Sequence, residues 1–175
     1  VGLRNEYTEW ETRIRVKNQL YTKRNDNILF PSFFVSREMG DGNSLSLSYT
    51  QSINRPLYQM VNPFVFHLSE TSDKECNPDL KGELLYNAGL QFMLKSKYIF
   101  SLSALFIDRK INEIYEQIGE YQTRYMLRNN GTTKRLTMYM GIPFTWGIWN
   151  CRNNVELSQS WFQNTAKFVN DFRLV

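Results

Sequence analysis

From Ser44 to Ser52 the chain reads SLSLSYTQS, with Leu45, Leu47 and Tyr49 alternating with Ser46, Ser48 and Thr50. Successive side chains of a strand point to opposite faces, so this period of two describes a strand with one apolar and one hydroxyl face. The pattern returns from Leu84 to Leu94, where Leu84, Tyr86, Ala88, Leu90, Phe92 and Leu94 oppose Asn87, Gly89 and Gln91. It returns again from Tyr98 to Phe106, with Tyr98, Phe100, Leu102, Ala104 and Phe106 opposing Ser101 and Ser103. Only Lys95-Ser96-Lys97 separates these two runs, a hairpin-length connection. Leu29 to Met39 sets Phe33 and Val35 against Ser32 and Ser36, then turns through Gly40-Asp41-Gly42-Asn43 into the Leu45 strand. Gly2 to about Val16 reads as a strand with Leu3 and Tyr7 outward and Arg4, Glu6 and Thr8 inward. Lys134 to Ile142 and Trp146 to Trp161 add two more, joined through Pro143-Phe144-Thr145. Their apolar sets are Leu136, Met138 and Met140, then Trp149, Cys151, Val155 and Leu157, with Asn153 as an interruption. Asn164 to Val175 supplies an eighth candidate. The expected fold is all-β, an antiparallel up-and-down meander of seven or eight strands.

The connections alternate in length. Gly40–Asn43, Lys95–Lys97 and Pro143–Thr145 are short, whereas Lys17–Asn27, Asn54–Glu83 and the region around Gly119 read as long or as joining extended strands. Short turns at one end and long loops at the other are the asymmetry of an outer-membrane barrel, so residues 1–175 are expected to belong to a transmembrane β-barrel domain. One stretch competes: Ile111, Ile114, Tyr115, Ile118, Gln122 and Tyr125 also fit helical spacing. Gly119 in its middle favours a hairpin tip near Gly119-Glu120 instead.

Composition agrees with a barrel. The chain has no apolar run near the length of a spanning helix and a mean hydropathy of −0.48, yet carries four Trp, ten Tyr and twelve Phe in 175 residues. Barrel strands hide their apolar half from a hydropathy average, and aromatic girdles account for the rings. Trp146, Trp149, Tyr98, Phe100 and Tyr139 are expected at the short-turn ends, anchoring the wall at the water boundary. The outward sets are nearly free of charge. Arg37 is the exception, and its place near a strand end suits a side chain that snorkels. The inward face of Ser, Thr, Asn, Gln, Arg and Glu suits a watered or plugged lumen.

A net charge of +4 with no basic stripe or recognition helix gives no basis for nucleic-acid binding. Cys76 and Cys151 have no metal or redox spacing; the sequence leaves a disulfide between them open and favours two free thiols, and no metal or cofactor is expected. The single histidine, His67, lies two residues from Ser69, an arrangement that rarely makes a nucleophile and its base, so no enzymatic activity is expected. Asn130-Gly131-Thr132 matches a glycosylation sequon, a chance match if the source is bacterial.

The run SLSLSYTQSINRPLYQMVNPF from Ser44 to Phe64 resembles the barrel of the TonB-dependent receptor and related outer-membrane β-barrel families of Bacteroidetes. Its key pieces are the Ser/Leu strand, Ile53-Asn54-Arg55-Pro56, Tyr58, and Asn62-Pro63-Phe64. Gly2-Leu3-Arg4 with Glu6-Tyr7-Thr8, Leu29-Phe30-Pro31-Ser32, and Asn77-Pro78-Asp79-Leu80-Lys81 followed by Glu83 support it in order and spacing. Gly82 stands where the family tends to have Pro, and Asn5 where an outward aromatic is usual. The resemblance is strongest over about residues 1–110 and implies a bacterial outer-membrane location and a larger barrel with a plug. It also implies coupling to TonB through that plug, outer-membrane lipid around the wall, and a surface lipoprotein as a further partner. The plug and remaining strands are not found in this chain, which reads as an internal piece of a nutrient receptor. The alternatives are a complete eight-stranded barrel serving as anchor or adhesin, and a soluble ligand-binding barrel.

Ligand contact is expected in the long loop Asn54–Glu83. Its candidates are Asn54, Arg55, Pro56, Tyr58, Gln59, Asn62, Pro63, Phe64, His67, Asn77, Pro78 and Asp79, with Glu70 and Asp73 beside them. Long loops on a rigid scaffold commonly carry binding residues. The competing reading is that Asn-Arg-Pro and Asn-Pro-Phe fix the loop backbone, since proline restricts its own φ and the residue before it.

Overall fold

The alternation read from the sequence continues into longer strands than the apolar runs alone delimit. The computed structural model describes residues 1–14, 19–118, 121–164 and 168–174. Its elements are β1 (Gly2–Ile14), β2 (Gln19–Gly40), β3 (Asn43–Asn54), a 3-10 turn (Tyr58–Met60), β4 (Val65–Ser69), β5 (Ser72–Glu75), β6 (Glu83–Leu94), β7 (Tyr98–Ile118), β8 (Gln122–Trp146), β9 (Trp149–Asn164) and β10 (Phe168–Leu174). Eight of these make an antiparallel wall in the order β1-β2-β3-β6-β7-β8-β9-β10, the expected meander. The other two, β4 and β5, form a small hairpin within the long loop, and β5 pairs in parallel with Thr123–Met126 of β8.

Register stacks the apolar positions into continuous rows. Val35, Leu47, Leu90, Leu102, Met138 and Leu157 are paired neighbour to neighbour across six strands. The row toward the short turns is Arg37, Leu45, Phe92, Phe100, Met140 and Val155. On the opposite face run Phe34, Ser48, Gly89, Ser103, Thr137 and Ser158, and then Ser36, Ser46, Gln91, Ser101, Tyr139 and Glu156. The apolar face stays exposed, with Leu47 at 45% and Met138 at 41%, so the greasy surface is the outside and not a core. An exposed apolar belt backed by a hydroxyl face is what a lipid-facing wall requires. The face carrying Ser48 and Tyr139 is the concave one.

Several expectations change. Lys17–Asn27 is not a long loop: Gln19–Gly40 is strand, and residues 15–18 lie outside the described residues. Pro143-Phe144-Thr145 lies inside β8, and the turn is Gly147-Ile148, where Gly147 takes φ +59°. Proline is tolerated there because the β7 ladder ends at Gly141, leaving Pro143 paired on one side only, with Arg152. Tyr139 pairs with Ser101 on the concave face, so it is not a girdle residue, whereas Trp146 and Trp149 flank the last short turn at 79% and 69% exposure. Other expectations hold: the 111–125 stretch forms the favoured hairpin and not the competing helix. Ile111 to Ile118 pairs with Gln122 to Asn129, and the tip at Gly119-Glu120 lies outside the described residues. Cys76 and Cys151 are both free.

Candidate functional site

At the long-loop end the loop between β3 and β6 folds across the concave face. Arg55, the residue after β3, reaches β1, where its guanidinium donates to Glu6 Oε2 at 2.7 Å and Thr8 Oγ1 at 3.0 Å. Arg4 completes this group with an ion pair to Glu6 at 3.1 Å, its guanidinium lying over the Phe30 ring. Val61 and Leu80 then pack with Leu127 of β8 into a small buried cluster, with Trp10, Met60 and Ile111 against it. β1 and β8 stand five neighbours apart in the sheet, roughly 24 Å along a flat one. One loop core touching both means that the wall curls around it.

The second half of the loop is held by directional bonds. Asn77 Oδ1 accepts the Asp79 N–H at 3.0 Å, an Asx turn, while its amide donates to the Leu127 carbonyl at 3.0 Å. Asn129 of β8 clamps Lys81 from both sides, accepting its N–H at 2.7 Å and donating to its carbonyl at 2.8 Å. Arg24 of β2 donates to the Leu80 carbonyl at 2.8 Å and is itself paired with Asp26. Such paired backbone groups can afford burial where an unpartnered loop could not.

Glu83 is the anchor on the other side. Its carboxylate, in a residue only 4% exposed, accepts Asn54 Nδ2 at 2.9 Å, the Ile111 N–H at 2.8 Å and Lys110 Nζ at 3.0 Å. Glu83 lies on the loop side of the charged Asp108-Arg109 level, beyond the apolar rows. Burial by itself would raise its carboxyl, but the bonds from Ile111, Asn54 and Lys110 outweigh it and hold the group below its ordinary value. The Ile111 N–H is free to reach in because β7 bulges at Arg109, where φ is +56° and the register slips.

Two cavities flank the Asn77–Leu80 segment. The one beneath it, bounded by Trp10, Arg24, Arg55, Pro56 and Gly82, holds about 20 Å³, room for roughly one water. The one above is an open polar cleft of about 260 Å³ between Glu75–Asp79 and Met126–Arg128. Glu75 there pairs with Arg124 at 3.2 Å.

The twelve sequence candidates divide accordingly. Asn54, Arg55, Pro56, Asn77 and Pro78 hold or line the loop's inner support. Asp79 is exposed at the polar cleft. Tyr58 and Phe64 project at 70% and 55% exposure, Gln59 is exposed, and Asn62 and Pro63 are half-buried beside them. His67 is exposed on β4, with Nδ1 at 2.6 Å from Asp73 Oδ1 on β5, and Glu70 is exposed at that hairpin's tip. Sequence reasoning did not single out Trp10, Arg24, Lys110, Leu127 or Asn129. The one available signal was Glu83, an acid opening an otherwise apolar strand.

Over residues 1–174 the chain matches a family model described as the outer membrane protein beta-barrel family. No curated protein and no solved structure matches it.

Proposed function

Because the chain belongs to the outer membrane protein beta-barrel family, resident in the bacterial outer membrane, we propose that it is wall and loop of a TonB-dependent nutrient receptor. The observation that carries this reading is the 55–82 loop, folded over the concave face and tied to β1, β2, β7 and β8, the tie to β7 being the Lys74–Glu113 ion pair at 2.9 Å. Only about 20 Å³ lies between the loop and the wall behind it, so the loop packs against the concave face and narrows the passage there. The polar cleft above, with exposed Tyr58, Gln59 and Phe64 nearby, presents aromatic and hydrogen-bonding groups for a glycan, peptide or metal chelate at the outer surface. Energy coupling would come from a plug and TonB, and a surface lipoprotein could cover the loops.

The test is planar-bilayer conductance of the full-length protein freed of its plug, with and without residues 57–76 replaced by a short Gly-Ser linker. The expected result is a larger steady conductance in the replacement. Equal conductance in both would refute narrowing of the passage by this loop.

A second reading, a complete small barrel serving as anchor or adhesin, draws on the count of eight wall strands. Among the described residues β1 pairs only with β2 and β10 only with β9, which favours further strands at those edges. Residues 1–175 expressed alone should therefore show no heat-modifiable monomer in detergent micelles. A compact heat-modifiable species would establish the second reading.

A further inference from the structure

The outward face carries a groove that the transport reading does not use. In the row above Leu90 and Leu102 the paired residues are Ala88 and Ala104, with Tyr49 and Leu136 on either side of them. Two methyl groups among large neighbours leave a depression of about 390 Å³ in the lipid-facing surface. Its upper wall is the stacked pair Tyr86 and Phe106, ring centroids 5.7 Å apart. Toward the long loops Lys134 stands in register with Phe106 and Trp161, its ammonium 5.9 Å from the Phe106 ring. Among the described residues no carboxylate lies within ion-pair distance of it, the nearest acid along β7, Asp108, being paired with Arg109. A second depression of about 340 Å³ continues past Lys134 and Trp161 to Thr132 and Gln163.

The sequence of surfaces is therefore apolar, aromatic, cationic and then polar, running from the belt toward the outside. That order matches a lipid molecule lying along the wall, with an acyl chain on the alanines and an anionic headgroup at Lys134. The long-loop end of such barrels faces outward, so the adjoining leaflet is the outer one, whose lipopolysaccharide bears phosphates on its lipid A sugars. We propose that the Ala88/Ala104 groove and Lys134 bind phosphorylated lipid A, one acyl chain filling the groove and one phosphate on the Lys134 ammonium. Thr132 and Gln163 then offer hydroxyl and amide hydrogen bonds to the same headgroup.

The test uses the full-length protein purified from outer membranes in mild detergent, with binding of bis-phosphorylated lipid A read by native mass spectrometry. Wild type and Lys134→Arg are expected to retain one lipid A molecule, whereas Lys134→Gln should bind about fivefold more weakly. Ala104→Phe, which fills the groove, should weaken lipid A and its dephosphorylated form alike, while Lys134→Gln should not affect the dephosphorylated form. Unchanged binding in Lys134→Gln, or equal retention of phosphatidylethanolamine, would overturn the site. Displacement of lipid A by an equal amount of phosphatidylglycerol would overturn the assignment to the outer-leaflet lipid. Heat-modifiable migration of each variant separates lost binding from lost folding.

Discussion

Glu83 is the carboxylate on which the loop's outer attachment turns, because three donors from two different elements converge on it. Glu83→Ala would leave the Ile111 N–H, the Asn54 amide and the Lys110 ammonium without their acceptor, a loss on the order of 3 kcal/mol. Denaturant melts of the full-length protein in micelles, followed by tryptophan fluorescence, would measure it. The same group makes the loop acid-sensitive. Its folded pKa lies below its unfolded one, so its contribution is complete above the ordinary glutamate range and is lost as pH falls through the folded value. Amide exchange of residues 79–82 should therefore accelerate as pH falls below the ordinary glutamate range, and Glu83→Gln should remove that pH step. Asn129 is the matching test on β8. Asn129→Ala frees both backbone groups of Lys81 and should speed exchange there without affecting β3.

At the level of strands, the two faces make opposite demands on the same substitution. Leu90 sits in the middle apolar row and Gly89 beside it on the concave face. Leu90→Arg should cost about 2–4 kcal/mol of barrel stability, the price of a cation at the lipid midplane. An arginine at Ser103 on the concave face should cost far less, and urea unfolding of both variants in lipid vesicles would compare them. The pattern of the apolar runs was legible because register on a one-sided sheet is fixed by that alternation. Strand length was not. Above the belt, β7 and β8 carry Lys, Glu, Asn and Arg on both faces, so no alternation marks them. Ladder hydrogen bonds to a neighbour hold them as strand regardless, and Ile114 and Tyr115, which also suit a helix, pair with Met126 and Tyr125.

At the scale of the whole molecule, the wall and the loop divide the work between sequence and tertiary structure. The sequence by itself determined the all-β class, the order of the eight wall strands, which face meets lipid, and the outer-membrane family. The first three follow from local chemistry, a period of two, turn residues between runs and the high cost of charge in hydrocarbon, whereas the family was read from the resemblance carried by residues 44–64 and 77–83. The sequence also marked Asn54–Glu83 as a long loop and named Asn54, Arg55, Asn77 and Pro78 as candidates for ligand contact, whereas in the structure the first three bond the loop to the wall and Pro78 lines the cavity behind it. Only the tertiary structure decided where that loop goes. Arg55 and Glu6 are 49 residues apart, and Asn77 and Leu127 are 50. No window of sequence contains such pairs. The curl of the sheet brings β1 and β8 to one loop core, and the bulge at Arg109 turns the Ile111 N–H toward Glu83. The Ala88/Ala104 groove has the same origin, since two small residues on different strands make a depression only once register sets them side by side. Spacing along the chain sets faces, and pairing across it sets sites.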